Sequence, residues 1–254
     1  MHSTPATATD RRNHLRNIAE QTLEVIENGS YTLPNSDEPH YLGAKIEAMK
    51  SGTLYYAVDS PLSTWSSSPL RYSTTSPTEI SIYEMSTIDG ARLLSSILAS
   101  QDLTDKIGIL NFASATSPGG GFINGAQAQE ESLARSSTLY PSLMTDAGQQ
   151  FYELHNHDPK SGYYSHAMIY SPGVVFFRDD YGGWTEPLEA DVLVSAAVNA
   201  GEVRNSWYCY FAGIGDEVTI EAEMRERMAR ILFLFDQQGI RNVVLGSFGT
   251  GVFR

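Results

Sequence analysis

The chain of 254 residues contains three consecutive glycines, followed after seven residues by a glutamine and two glutamates. The glycines are Gly119, Gly120 and Gly121, and the polar triplet is Gln129, Glu130 and Glu131. Consecutive glycines allow positive φ and close approach of the backbone to a ligand, so that successive amides can face a phosphate. A buried strand is predicted before the glycines, and a helix is predicted to begin near Gln129. This order favours an enzyme site on a nucleotide-linked bond over a structural turn.

The two common nucleotide-binding loops do not fit this glycine run. The dinucleotide fingerprint G-x-G-x-x-G is not found at this loop, and no Gly-Lys-Ser/Thr follows as in a triphosphate-binding loop. The acid pair has a structural alternative, because carboxylates at a helix start complement the helix dipole and Glu131 is spaced i,i+4 from Arg135. Its position directly after the glycine loop favours a chemical role, and the Gln129 amide can bind a sugar hydroxyl.

The geometry of a helix separates the two glutamates by role. Adjacent helix residues point about 100° apart, so Glu130 and Glu131 cannot address one atom from the same direction. One carboxylate can orient a ribose hydroxyl while the other transfers a proton. Ordinary glycosidases differ, since their two carboxylates flank the bond. A single residue is therefore expected to act first as acid and then as base.

Hydrophobic periodicity predicts an α/β fold. Strands are predicted at 80–83, 106–112, 172–177, 192–198 and 241–245, and helices at 10–28, after Ser86, from Gln129 and at 217–238. Residues 58–78 are predicted as a loop. Alternating strands and helices indicate a three-layer fold with a mixed, largely parallel sheet and helices on both faces. We predict a disordered tail over 1–9 and a single domain over 10–254.

A second glycine-rich loop follows the last predicted strand. It contains Ser247, Phe248, Gly249, Thr250, Gly251, Val252 and Phe253. Ligands of open α/β sheets bind beyond the carboxyl ends of the strands, where both glycine loops are expected to lie. We therefore expect the two loops to converge on one ligand, with glycines around a diphosphate and an aromatic ring against a sugar.

The composition limits which kinds of partner and cellular location we expect for this protein. A net charge of −13 argues against general DNA or RNA binding, although backbone amides can still hold one pyrophosphate. No apolar stretch approaches the roughly 18 residues of a membrane span, and no signal peptide is evident. Cys209 is the single cysteine, which excludes an internal disulfide and is expected to be buried and inert. We expect an intracellular monomer, cytoplasmic or nuclear.

No cofactor or metal is predicted. His155 and His157, with Asp158, have a spacing that a metal site can use, but they lack the further ligands such a site needs. The run 154–159 is better explained as the polar end of a helix.

These motifs resemble the signature of poly(ADP-ribose) glycohydrolases, which are enzymes with a macrodomain-like fold. The stretch from Asn111 through the glycines to 129–137 is similar to the compact microbial type, and the likeness extends to the opening helix, to 171–174 and to 249–253. The resemblance implies hydrolysis of the ribose–ribose O-glycosidic bond of poly(ADP-ribose), releasing ADP-ribose. Glu131 would be the catalytic acid and then base, and Glu130 would hold the adjoining ribose.

The resemblance also implies how the ligand is bound. Gly119 to Gly121 and residues 247–252 would hold the diphosphate, and Asn111 and Gln129 are among the implied ligand-binding residues. Phe253 would pack against the terminal ADP-ribose sugar, which favours release from chain ends. Two alternatives stay open: a macrodomain that binds ADP-ribose without cleaving it, which has no need for both glutamates, and a hydrolase of mono-ADP-ribosylated protein.

Two features depart from the family pattern. Family members usually continue past the second loop with a helix and a strand, whereas this sequence ends at Arg254 and is expected to lack them. Macrodomains often hold adenine with an acidic side chain after an early strand, where this sequence has residues 85–88, Met-Ser-Thr-Ile. Glu84 and Asp89 are the candidate substitutes.

Overall fold

The computed structural model describes residues 8–71, 77–205 and 216–251. The helices are α1 Ala8–Asn28, α2 Gly43–Gly52, α3 Thr87–Ser100, α4 Gln129–Ser136, α5 Leu139–Leu143, α6 Asp146–His157, α7 Ala200–Asn205 and α8 Asp216–Gln237. The strands are β1 Ser30–Thr32, β2 Pro39–Tyr41, β3 Leu54–Tyr56, β4 Ile107–Phe112, β5 Met168–Arg178, β6 Trp184–Ser195 and β7 Asn242–Val244.

Five strands form one mixed sheet in the order β3-β5-β6-β4-β7, while β1 and β2 pair separately. Strand β4 runs parallel to both β6 and β7, and β5 runs antiparallel to both β3 and β6. The predicted mixed sheet is confirmed, with its parallel part centred on β4. Ligand-binding loops of parallel strands lie at their carboxyl ends, which here means the segments after β4 and β7.

Side chains of opposite parity on β4 enter two different cores. Ile109 packs on one face with Ile88 and Ala91 of α3, Phe151 of α6 and Val192 of β6. On the other face, Leu110 packs with a group that includes Leu193 of β6 and Ile231, Leu234 and Phe235 of α8. Because both faces of the sheet are covered, the three-layer arrangement with helices on both faces is confirmed.

Helix ends follow the sequence signals closely. Ser86 caps α3, since its side-chain oxygen accepts a hydrogen bond from the Asp89 amide. Helix α1 ends before Gly29, which has a φ of 69°. It begins at Ala8, so residues 8 and 9 belong to the helix rather than to the predicted tail; residues 1–7 lie outside the described part of the chain.

The strand predicted at 80–83 is not formed. Ile80 and Ile82 are 81% and 93% exposed, and the segment pairs with no strand among the described residues. Alternating apolar residues satisfy the local pattern of a strand, but a strand also needs a partner for its backbone. The predicted loop at 58–78 contains a 3₁₀ helix, Pro61–Ser67, whose Leu62 belongs to the same core as α8.

Strand β7 leaves the edge of β4 before β4 ends. The pairing stops at Ile109 and Val244, so the Leu110 carbonyl and the Phe112 amide, on the β7 side of β4, have no strand beside them. This opening lies at the carboxyl end of the sheet and is where α4 begins. No helix in the described residues has the length and apolar character needed to cross a membrane.

Candidate active site

Gln129 joins the start of α4 to the unpaired edge of β4. Its Oε1 accepts a hydrogen bond from the Phe112 amide at 2.9 Å, and its Nε2 donates to the Leu110 carbonyl at 2.8 Å. Nε2 also lies 3.3 Å from Thr87 Oγ1 of α3. The side-chain amide thus supplies the donor and acceptor that a neighbouring strand would supply. These contacts engage the amide within the protein, which differs from the expectation that it binds a sugar.

Glu130 is almost completely buried, with 2% of its surface exposed. Oε2 accepts from the Ser114 amide at 2.7 Å, and Oε1 accepts from Asn111 Nδ2 at 3.3 Å. Burial raises the pKa of Glu130 to about 8, opposed by these donors and the Gly119 amide, while the nearby charge of Glu131 raises it further. The carboxyl group can therefore hold a proton near neutral pH.

Glu131 has one oxygen fixed and one oxygen unpaired. Oε1 accepts a hydrogen bond from the Gly121 amide at 3.0 Å. Oε2 is buried and has no hydrogen-bond partner among the described residues. Buried polar atoms in proteins are almost always paired, so this oxygen is a candidate contact for a bound ligand.

The glycine run makes room for these carboxyl groups. Gly119 and Gly120 have φ values of 68° and 59°, a region that side-chain-bearing residues rarely adopt. A Cβ at Gly120 would collide with Glu131 Oε1 and lie 2.9 Å from its Cδ. The Gly120 amide bonds to the Ser117 carbonyl at 2.9 Å, and the Gly121 amide bonds to Glu131. With the Gly119 amide acting on Glu130, all three amides are engaged within the protein.

Phe112 links the two glycine loops at the end of β4. Its ring lies 5.6 Å from that of Phe248, centroid to centroid, and a Cβ at Gly246 would lie 2.7 Å from Phe112 Cζ. The structure therefore packs the second loop against the end of β4, from which the first loop departs. Phe248, however, is buried in the core around Leu110 and does not present a free ring to a sugar.

The second loop itself forms a tight turn. Ser247 O accepts hydrogen bonds from the Thr250 amide at 3.1 Å and from Thr250 Oγ1 at 2.8 Å. Gly249 has a φ of 81°, and a Cβ there would lie 3.4 Å from Ala197 Cβ. A Cβ at Gly251, which follows this turn, would meet nothing within 4 Å. Val252, Phe253 and Cys209 lie outside the described residues.

Two other expectations from the sequence, for Asn111 and for the pair of Glu131 and Arg135, are tested by contacts in the structure. Asn111 is fully buried: its Nδ2 donates to Glu130, while its Oδ1 has no hydrogen-bond partner among the described residues. Arg135 donates from Nη1 to the Ala126 carbonyl at 2.6 Å and forms no salt bridge with Glu131 within 4.0 Å. The alternative of a simple i,i+4 ion pair therefore does not explain the acid pair.

Two residues beside the site carry no local signal in the sequence. Tyr152 of α6 is buried, and burial with the charge of Glu130 raises its pKa well above the usual value, opposed by the backbone of Gly119. Asp180, in the turn after β5, accepts a hydrogen bond from Ser86 Oγ at the start of α3. Glu84 and Asp89, the predicted adenine-binding candidates, are exposed.

The two histidines of α6 have different environments. His155 is buried and its Nε2 accepts from the Ser165 amide at 3.1 Å, whereas His157 is exposed at the helix end. Burial lowers the pKa of His155 to about 4. Within the described ranges, no group of three or more His, Cys, Asp or Glu side chains surrounds a possible metal position.

Two coupled carboxyl groups at a helix start, beside glycine turns at the end of a sheet, define an acid–base hydrolase site on a macrodomain-like fold. Comparison with known proteins gives the family. A family model described as microbial-type PARG, catalytic domain, matches residues 19–179. PARG stands for poly(ADP-ribose) glycohydrolase.

Solved structures agree with this match. The structure resembles poly(ADP-ribose) glycohydrolase from Thermomonospora curvata, with a TM-score of 0.82 and 38% identity over 95% of this chain and 82% of that chain. The same enzyme bound to the inhibitor ADP-HPD matches with a TM-score of 0.79, 37% identity and the same coverage. The Deinococcus radiodurans enzyme in complex with ADP-ribose has a TM-score of 0.70 and 30% identity, over 88% of this chain and 79% of that chain. No curated protein sequence matches significantly.

The chain therefore belongs to the family of microbial-type poly(ADP-ribose) glycohydrolase catalytic domains. The expected family, the fold and the class of glycosidic-bond hydrolase are confirmed.

The buried Glu130 predicts a specific pH dependence of stability. Its pKa is about 8 in the folded protein against about 4.5 for an ordinary glutamate, so the unfolded chain releases this proton first as pH rises. Stability is then lost between about pH 4.5 and 8, at up to about 1.4 kcal/mol per pH unit. We expect Glu130→Gln to remove this loss, so that its free energy of unfolding relative to wild type rises steadily across the window.

Urea denaturation at several pH values measures this difference. Glu153→Gln, at an exposed position on α6, is the matched control, and its difference from wild type should stay flat. A flat difference for Glu130→Gln as well would show that the Glu130 carboxyl group is not held protonated.

Proposed function

We propose that Glu131 is the acid and then the base with which this glycohydrolase cleaves the ribose–ribose O-glycosidic bond of poly(ADP-ribose). The observation that carries the assignment is the unequal state of its two oxygens. Oε1 is held by the Gly121 amide, while the buried Oε2 has no partner in the described part of the chain. Fixing one oxygen orients the other, and an oriented carboxyl group is what general acid–base catalysis requires.

The reaction needs only one carboxyl group for both proton transfers. Protonated Glu131 gives its proton to the leaving ribose oxygen as the bond from that oxygen to the anomeric carbon breaks. The resulting oxocarbenium-like centre is attacked by water, and the Glu131 carboxylate takes the proton of that water. The enzyme returns to its starting state, with ADP-ribose and a shortened polymer as products.

Glu130 is proposed to hold the adjoining ribose. Each of its oxygens already accepts one hydrogen bond, from Ser114 and Asn111, which fixes the carboxyl plane. A carboxyl group whose pKa is near 8 can donate to a ribose hydroxyl when protonated and accept from it when ionised. The nearby charge of Glu131 raises the pKa of Glu130 and so favours the form that donates.

The diphosphate is proposed to lie between the two glycine loops, of which the second packs against Phe112 at the end of β4 and the first follows that strand. Gly119, Gly120 and Gly121 border it on one side, and Ser247, Gly249, Thr250, Gly251 and Val252 on the other. The related D. radiodurans enzyme is solved with ADP-ribose and the T. curvata enzyme with ADP-HPD, which supports a nucleotide ligand here. By the family resemblance, Phe253 packs against the terminal sugar and favours release from chain ends.

The remaining proposals concern the protein's setting. With a net charge of −13, we propose that it does not bind DNA or RNA in general. We further propose that it acts as a monomer without a cofactor, inside the cell.

Glu131→Gln should abolish release of ADP-ribose from poly(ADP-ribose). Glutamine keeps the shape of the side chain but cannot deliver a proton, so the affinity for ADP-ribose should change by less than about tenfold, or about 1.4 kcal/mol. Product release is followed with labelled polymer, and binding by calorimetry. Glu153→Gln is the control and should keep wild-type turnover. Full turnover by Glu131→Gln would refute the assigned role, and equal wild-type rates on mono-ADP-ribosylated protein would favour the broader specificity.

Gln129→Met should separate positioning from ligand binding. Methionine fills similar space but removes both hydrogen bonds to β4, so the carboxyl groups of α4 lose their fixed place relative to the glycine loop. We expect kcat to fall by at least about tenfold while the dissociation constant for ADP-ribose changes less than about threefold. The control is Gln150→Met on the surface of α6. A weakened ADP-ribose affinity with unchanged kcat would instead mean that Gln129 binds the sugar.

A further inference from the structure

Three arginines stand at the start of α1 in an otherwise acidic chain. Arg11, Arg12 and Arg16 are exposed, and none forms an ion pair within residues 8–71, 77–205 and 216–251. Glu20, which is spaced i,i+4 from Arg16, is not within 4.0 Å of it. Positive charge in a protein of net charge −13 is therefore concentrated here without neutralisation.

The charge order along α1 is the reverse of what stabilises a helix. The arginines lie in the first three turns, and the glutamates Glu20, Glu24 and Glu27 lie in the last three. The effect of the helix dipole falls off within the first and last turns, so it bears on Arg11, which shares the first turn with Asp10, and on Glu27, by roughly 0.3–1 kcal/mol each. The helix dipole therefore gives no reason for a cation at Arg11 and does not bear on Arg12 or Arg16.

The arginines contact the segment between the glycine run and the start of α4. Arg12 Nε donates to the Asn124 carbonyl at 2.8 Å. Gly125 packs on the aliphatic stems, since a Cβ there would lie 2.9 Å from Arg12 Cγ and 3.1 Å from Arg16 Cγ. The next residue, Ala126, donates its amide to the Gly121 carbonyl at 3.1 Å, and the Gly121 amide binds Glu131.

The contact between α1 and this segment lies on the opposite side of Glu131 from the second glycine loop. The second loop packs against Phe112, Ala197 and Met224, on the α8 side of the sheet. The segment at Phe122 packs instead with Ala19 of α1 and Ala134 of α4. A terminal ADP-ribose held between the glycine loops would therefore leave the rest of the polymer, beyond the scissile bond, facing α1.

We propose that Arg11, Arg12 and Arg16 bind the diphosphate of the polymer unit beyond the scissile bond. This inference rests on the proposed function, because it places the retained chain relative to Glu131. Each polymer unit carries a diphosphate, and guanidinium groups bind phosphate oxygens well. The arginines thus give a polyanion a local site of opposite sign on a protein whose net charge repels it.

The test uses Arg11→Gln/Arg16→Gln, which leaves the Arg12 bond to Asn124 in place. Lys45→Gln/Lys50→Gln on α2 is the matched control, because it lowers the net charge equally at exposed positions. For the arginine variant we expect kcat/KM on long poly(ADP-ribose) to fall about three- to tenfold at low salt. The plot of log kcat/KM against log salt should become shallower, by about 0.7 for each phosphate that is no longer neutralised. Free ADP-ribose should bind as in wild type.

Two results would overturn the inference. If the arginine variant matches the lysine control on polymer, only a general effect of charge is left. If ADP-ribose affinity falls by the same factor as polymer turnover, the arginines bind the terminal unit instead. Neither result touches the role of Glu131, whereas failure of wild type to release ADP-ribose from polymer would remove the proposed function itself.

Discussion

Three consecutive side chains at the start of α4 each accept a hydrogen bond from a different amide of the preceding segment. Gln129 takes the amide of Phe112, Glu130 that of Ser114 and Glu131 that of Gly121. A hydrogen bond contributes about 0.5–1.5 kcal/mol net, and about 1.5–3 kcal/mol when the acceptor is charged, and burying a carboxyl group without hydrogen bonds is costly. The conformation of the glycine loop and the position of the two glutamates consequently depend on each other.

Burial and hydrogen bonding act in opposite directions on this acid pair. The amides and the helix dipole favour ionised carboxylates, whereas removal from water favours protonated ones. For Glu130 burial wins, and its pKa lies near 8. The glycines are part of the same balance, because a side chain at Gly120 would push Glu131 out of the buried position.

Local sequence signals predicted what depends on local physics. The strand β4, the cap at Ser86 and the start of α4 follow from apolar spacing and capping chemistry, and the structure has all three. The segment at 80–83 has the same local pattern without a partner strand, so the pattern failed. Phe248 was assigned to the ligand because aromatic residues among glycines suit a sugar, but its ring packs on Phe112, which is distant in sequence. Tyr152 comes near Glu130, and Asp180 comes to Ser86, only through the fold.

The positions of arginine and lysine side chains around the site bear on the proton that Glu131 must carry. A cation in direct contact with a carboxyl group favours its ionised form, so phosphate binding by lysine or arginine beside Glu131 would work against protonation of the leaving oxygen. Arg135 is an example: it lies one turn further along α4, yet its Nη1 is bonded to the Ala126 carbonyl. Backbone amides carry only partial charges and can border the acid more closely. The arginines of α1 place further positive charge at the rim, where it can attract a polyanion.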